Sequence, residues 1–355
     1  MKKIILILIF PLLTNISFGQ NKQEAEKLVD EGIAYHDKGD FEGAISKYDK
    51  ALELDKDNLL ALAEKSFSLL SLKKYDDAII LCKKAIEKYP NQSALKTVFV
   101  TYGNSLDALK KTDKSIEVYD EGIKMFPEYY QLYFNKGISL SSVRKNDEAL
   151  LCFQKSVSIN PKHASSNNAI ARILYSQDKN IPSLFAFCRF LILEPQGDRA
   201  KGNLELLQKI VKANVEQTGK NNITVSIDPK MLEDTSSNGK AKENSFSSTE
   251  LILNMTSALD YDKKNSKKTD VEQFIRKFET VCASVEETKN NNFGFYWEYY
   301  APYFIELNKK KLIEPFAYIV FASSDKENVS KWLKSHQTEI DKFYEWSKNY
   351  NWDKK

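Results

Sequence analysis

The sequence predicts an all-α fold, in which an array of helix-turn-helix repeats is followed by a small, mainly helical C-terminal domain. Two observations predict it. One short pattern recurs five times within residues 25–197, and its members have helical spacing. Beyond residue 248, apolar and aromatic side chains keep a helical spacing without continuing the repeat.

The first nineteen residues have the features of a secretory signal peptide. Lys2 and Lys3 precede an apolar run at residues 4–13, and Ser17, Phe18 and Gly19 form a small-large-small cleavage sequence. The apolar run is shorter than the roughly 20 residues of a membrane-spanning helix. The alternative to a cleaved signal peptide is an uncleaved membrane anchor. We therefore expect cleavage near Gly19 and an exported protein, periplasmic or secreted, with no integral membrane segment in the mature chain.

The repeat then fills residues 20–218. Each copy has a small residue and, four positions later, a bulky residue. Three positions after the bulky residue, most copies have a second small residue. In most copies a proline ends the helix five residues after that, because proline cannot continue a helix. The most regular copy is Ala149, Phe153, Ser156 and Pro161. Its last position recurs at intervals of 34, 37, 34 and 34 residues, which indicates stacked helix pairs.

The first helix of each copy carries a small residue where it crosses the second helix. A large side chain at this point would hold the two backbones apart, so we expect close helix packing there. The crossing residues are Gly32, Ser66, Gly103, Gly137 and Ala171.

These residues resemble the tetratricopeptide repeat, with five copies at 25–58, 59–92, 96–129, 130–163 and 164–197 and a closing helix at 199–217. The resemblance implies a solenoid that binds a protein or peptide. The usual tryptophan is replaced in every copy, for example by Asn167. Gly122 and Phe190 replace the usual alanine, and Phe190 suggests that the last repeat packs against something different.

The resemblance also implies a binding groove, lined by four positions on the first helix of each repeat. In this sequence they are Val29, Ile33, His36, Leu60, Ala63, Phe67, Leu70, Thr97, Val100, Asn104, Asp107, Gln131, Phe134, Ile138, Ser141, Ser165, Asn168, Arg172 and Tyr175. Val29 and Ile33 stand where the chaperone-binding members hold a peptide carboxylate with lysine and asparagine, so that binding mode is not expected. The candidate partner-binding residues are Asn104, Asp107, Gln131, Phe134, Asn168, Arg172 and Tyr175.

Residues 219–248 are expected to form a linker. Ile223, Val225 and Ile227 alternate with polar residues, as in a short strand, and the rest lacks an apolar period. Residues 249–355 are expected to form an aromatic-rich helical domain, with a helix capped by Thr269 or Asp270. Tyr296, Trp297, Tyr300 and Tyr303 form either its core or an exposed patch for a sugar ring or a peptide.

Composition and motifs give little sign of other functions. Without the two leader lysines the net charge of +3 falls to about +1, which argues against nucleic acid as the main partner. We expect the four cysteines to be unpaired, Cys152 and Cys188 being the least unfavourable pair. The three histidines have no partners at metal-ligand spacing, and no nucleophile or phosphate-binding motif occurs. We expect no catalytic residues, cofactor or metal.

The sequence thus favours a non-catalytic exported scaffold that binds a protein or peptide in the repeat groove. The alternative is a ligand- or glycan-binding module that uses the aromatic C-terminal domain. Glu298 and Glu306 flank the aromatic residues as a glycosidase carboxylate pair would, but glutamates are common on amphipathic helices.

Overall fold

The computed structural model describes residues 12–212, 214–219, 222–227, 229 and 242–352, with side chains from residue 20 onward. Seventeen α-helices form within these residues, and the predicted all-α repeat array is confirmed. The helix pairs of the five repeats are α1 (Leu12–Asp37), α2 (Phe41–Leu54), α3 (Leu59–Ser71), α4 (Tyr75–Lys88), α5 (Leu95–Ala108), α6 (Thr112–Met125), α7 (Tyr130–Ser142), α8 (Asn146–Ile159), α9 (Ala164–Ser176) and α10 (Asn180–Leu193).

The later part of the chain is also helical, apart from one antiparallel hairpin in the described residues. Its elements are α11 (Asp198–Lys212), β1 (Val215–Gln217), β2 (Ile223–Val225), α12 (Ser247–Ala258), α13 (Asp270–Thr288), α14 (Phe295–Lys309), α15 (Ile313–Val320), α16 (Glu327–Ser335) and α17 (Gln337–Lys348). In the hairpin Val215 pairs with Val225 and Gln217 with Ile223.

The turn between the two helices of a repeat has the same backbone geometry in all five copies. One residue there has a positive φ, and the next residue's N–H bonds a carbonyl five residues back, as Lys111 does to Leu106 at 2.9 Å. This bond satisfies a carbonyl that the helix end would otherwise leave free. The left-handed residues are Gly39, Lys73, Lys110, Arg144 and Asp178. Only the first copy uses glycine, so the sequence pattern did not reveal this turn.

The predicted helix crossings are confirmed in the three copies that use glycine. A Cβ atom added to Gly103 would lie 2.3 Å from the ring of Tyr119, and one on Gly32 would lie 2.3 Å from the ring of Tyr48. Gly137 has the same relation to Phe153, at 2.6 Å. The ring of the second helix therefore occupies the space that a side chain on the first helix would need.

The chain divides into two compact units, one ending at Lys155 and the other beginning at Ser156 within α8. The second unit is built around α10, whose residues from Ile181 to Ile192 are all buried. A helix that is apolar on every side is buried on every side. It packs against α9, α11, α14 and α15. The expected domain order grouped all five repeats at 20–218, whereas the structure places the fifth repeat in the same unit as the C-terminal helices.

Several expected boundaries need correction. The closing helix ends at Lys212 rather than near residue 217, because Val215–Gln217 pairs with the predicted strand at Ile223–Val225. Much of the predicted linker, at 220–221, 228 and 230–241, lies outside the described residues. Residues 1–11 of the predicted leader also lie outside them, and α1 continues through the predicted cleavage point.

Candidate functional site

A concavity lies on the first helices of repeats two to four, within the first unit. Its volume is about 260 Å³, somewhat smaller than a typical small-molecule pocket. It is lined by Ala63, Glu64, Phe67, Thr97, Val100, Thr101, Tyr129 and Gln131. Five of these, Ala63, Phe67, Thr97, Val100 and Gln131, occupy groove positions implied by the repeat. The structure therefore brings the groove residues of three neighbouring repeats to one place.

The apolar part of the concavity centres on Phe67. Its side chain is 45% exposed, and its ring stacks on His36 at a centroid distance of 4.6 Å. His36 is itself held by a 2.7 Å hydrogen bond between its Nδ1 and Ser68 Oγ. Burial lowers the pKa of His36 below its ordinary value, which favours the neutral ring. Phe67 is thus a supported aromatic surface that remains open to solvent on one side.

Glu64 supplies a carboxylate to the same concavity. Burial raises the pKa of Glu64 above its ordinary value, and the negative charge of Asp37 acts in the same direction. Within the described residues, no lysine or arginine forms an ion pair with either carboxylate. Glu64 is therefore a half-buried acid that lacks a cationic partner.

The four groove candidates of the first unit divide into two groups. Asn104 accepts a 2.7 Å hydrogen bond from the hydroxyl of Tyr119, and Asp107 accepts one of 2.8 Å from Ser115. These bonds join the helices of the repeats, so both side chains support packing. Gln131 lines the concavity, and the Phe134 ring lies 5.8 Å from that of Phe153.

The other three candidates belong to the second unit. Arg172 donates a 3.2 Å hydrogen bond from Nη1 to Asn203 Oδ1 of α11, and the ring of Tyr175 meets the edge of Phe187 at 6.4 Å. The Oδ1 atom of Asn168 is buried, with no hydrogen-bond partner among the described residues. The seven predicted side chains are therefore divided between the two units. Sequence reasoning missed Glu64, which lies one position beyond the groove residue Ala63.

The predicted aromatic patch is a core rather than a surface. Tyr296, Trp297, Tyr300 and Tyr303 are each no more than 3% exposed. Their polar atoms bond inside the second unit: Tyr300 donates to Asn167 Oδ1 at 2.8 Å and Trp297 donates to a backbone carbonyl at 2.8 Å. Buried Tyr and Trp side chains need such partners. These four residues do not form the exposed platform that glycan binding would require.

The histidines and acidic residues of the described part of the chain form no group of three or more that could hold a metal ion. His163 Nδ1 hydrogen-bonds with Ser166 at 2.7 Å, and His336 stacks on Trp332 at 4.2 Å. Glu306 accepts a 3.0 Å hydrogen bond from the indole of Trp346. In the same part of the chain, no helix is both long enough and apolar enough to cross a membrane.

Comparison with known proteins agrees with the repeat geometry. Tetratricopeptide-repeat family models match residues 35–98 and 130–163. The STIP1 homolog of Dictyostelium discoideum is 32% identical over 113 residues, which cover 32% of this chain and 20% of that protein. The Hsp70-Hsp90 organizing protein of Triticum aestivum is 36% identical over 96 residues, which cover 27% of this chain and 16% of that one. The chain therefore spans about a fifth or less of these curated relatives.

A solved structure of Pseudomonas aeruginosa pilF is among the structural matches. Its TM-score is 0.49 at 22% identity, and the match covers 54% of this chain and 85% of that chain.

Proposed function

We propose that the chain is a non-catalytic scaffold that binds a protein or peptide segment in the concavity of its first unit. Its repeats match tetratricopeptide-repeat family models at residues 35–98 and 130–163, and such repeats mediate protein–protein or peptide interactions. We further propose that it acts after export, as its N-terminal sequence predicts. The curated relatives it partly matches include a protein named for organizing Hsp70 and Hsp90.

The concavity is the observation that carries this proposal. It combines an exposed aromatic ring, Phe67, with the hydrogen-bonding side chains of Thr97 and Gln131. An extended peptide needs both kinds of contact, because its side chains require apolar surface and its backbone requires donors and acceptors. The three helices that supply these residues are held by buried packing, so the site is formed before a partner arrives.

A pair of matched variants tests whether the concavity is the binding site. Val100→Lys places a long charged side chain inside it, whereas Leu151→Lys makes a similar change on α8, where Leu151 is 65% exposed and does not line the concavity. Peptides would first be selected from a random display library with the intact chain. We expect Val100→Lys to weaken their binding at least tenfold and Leu151→Lys to leave it unchanged. Equal binding by both variants would exclude the concavity.

Export is tested separately from binding. Expression of the intact chain in a Gram-negative host, followed by fractionation and N-terminal mass spectrometry, should yield a periplasmic protein that begins at Gln20. A cytoplasmic protein that retains residues 1–19 would refute the proposed localisation and leave the binding proposal to its own test.

A further inference from the structure

Several carboxylates of the first unit have lysine partners on a neighbouring helix. Glu31 pairs with Lys47, Asp49 with Lys65, and Asp120 with Lys136. In each case the lysine follows the acid by sixteen residues, so the pairs join successive helices. Glu64 lies in the concavity and forms no ion pair with a lysine or arginine within the described residues; burial raises its pKa, and the negative charge of Asp37 acts in the same direction.

The remaining charged groups near the concavity do not neutralise it. Lys96 stands over the ring of Tyr129, 5.3 Å from its centroid, and makes no ion pair with Glu64 within the described residues. His36 carries no compensating charge near neutral pH, because burial lowers its pKa. This end of the concavity therefore has a carboxyl group that forms no ion pair among the described residues, beside an exposed aromatic ring.

Complementary charge guides partner choice across interfaces. We propose that the concavity binds an extended peptide segment in which a lysine or arginine lies two residues from a large apolar side chain. The cation would pair with Glu64 and the apolar side chain would cover Phe67. This inference rests on the proposed function and names the class of partner for the same site.

The spacing follows from helix and strand geometry. Glu64 and Phe67 are three positions apart on α3, so their side chains are neighbours with Cβ atoms roughly 5–6 Å apart. In an extended peptide, residues i and i+2 lie on one face, separated by roughly 6.5–7 Å. A basic-x-apolar segment can thus contact both side chains at once, whereas adjacent residues would point to opposite faces.

The test uses a labelled, end-capped peptide, Gly-Ser-Gly-Lys-Thr-Phe-Gly-Ser-Gly, and versions in which Gln or Glu replaces Lys. Fluorescence anisotropy would measure their affinities for the intact chain. We expect the Lys peptide to bind at least tenfold more tightly than the Glu peptide, equivalent to about 1.4 kcal/mol. Glu64→Gln should remove most of this preference. Glu53→Gln, an exposed acid on α2 outside the concavity, should retain it.

The outcomes separate this inference from the proposed function. One outcome is that the peptides bind and Val100→Lys abolishes their binding, but the Lys and Glu peptides bind equally well. In that case the concavity is a peptide-binding site, and the proposed preference for a basic segment is wrong. If Glu64→Lys makes the chain prefer the Glu peptide over the Lys peptide, the charge at position 64 sets the preference and the inference is supported. If the chain self-associates through Glu64 and excludes all peptides, the occupant is a second copy and the inference is overturned.

Discussion

The packing of the repeats depends on the absence of a side chain at Gly103, and Gly103→Ala tests this directly. The added Cβ would lie 2.3 Å from Cζ and 2.4 Å from Cε1 of Tyr119. Ordinary carbon contacts are about 3.5–4.0 Å, so the ring or the helix must move by roughly 1.2 Å. Tyr119 has no exposed surface and its hydroxyl bonds Asn104 at 2.7 Å, so the ring cannot move without losing that bond.

The magnitude is a balance of three effects. Replacing glycine by alanine inside a helix stabilises it by about 1 kcal/mol. Overpacking a tight core costs about 1–3 kcal/mol, and losing the buried hydrogen bond costs about 1–2 kcal/mol more. We therefore expect Gly103→Ala to lower the free energy of unfolding by about 2 kcal/mol. In urea, with a slope of about 2 kcal/mol/M, the midpoint should fall by about 1 M.

Gly202 provides the matched control. It lies inside α11, and a Cβ added there has no atom within 4 Å, so Gly202→Ala should gain about 1 kcal/mol. Far-UV circular dichroism follows the helices of both units, so the part of its transition that is absent from tryptophan fluorescence belongs to the first unit. Tryptophan fluorescence reports only on the second unit, because all four tryptophans lie beyond residue 156. If Gly103→Ala were as stable as the original chain, the close-crossing argument would be refuted.

Two further predictions concern helix ends. Lys110 has φ 61° at the turn of repeat three, a conformation that favours glycine, so Lys110→Gly should stabilise the first unit by about 1 kcal/mol in the same urea assay. The control, Lys114→Gly, lies inside α6 and should destabilise that unit by about 1 kcal/mol. Thr269 and Glu272 form a capping box at α13, and Thr269→Ala should cost about 1 kcal/mol at pH 7, read by tryptophan fluorescence. Hydrogen bonds from the Thr269 backbone and side chain lower the pKa of Glu272 in the folded protein. The stability that the ionised Glu272 carboxylate contributes is therefore present above its unfolded pKa of about 4.3, and it is lost as the pH falls through its folded pKa. The cost of Thr269→Ala should therefore be smaller at pH 3 than at pH 7, and an equal cost at both would contradict the role of Glu272.

Residues of the fifth repeat that depart from the family pattern are explained by the helices that pack on them. Asn167 replaces the usual tryptophan and has no exposed surface, because Tyr300 of α14 bonds its Oδ1. Arg189 is 2% exposed, and its guanidinium carbon lies 4.5 Å from the ring centroids of both Tyr303 and Trp352, which stack on each other at 5.0 Å. A cation beside aromatic rings gains attraction that partly offsets its lost hydration.

The sequence by itself determined the helices, their pairing and the crossing positions. These features depend on local periods and on steric limits between adjacent elements, which one repeat already contains. It also located the groove, since Ala63, Val100 and Gln131 lie in the concavity at positions that the repeat implies. The apolar character of α10 on every side was visible in the sequence, but its partners were not.

Only the tertiary structure decided which side chains remain free. Asn104 and Arg172 are polar groove residues in the sequence, yet both are engaged by Tyr119 and Asn203, which lie 15 and 31 residues away. Tyr296 and Tyr303 could equally have lined a surface, and their burial follows from helices that pack around α14 from distant parts of the chain. Glu64 forms no ion pair among the described residues, whereas Glu31 pairs with Lys47 on the next helix. Such differences arise from long-range contacts, which no local pattern encodes.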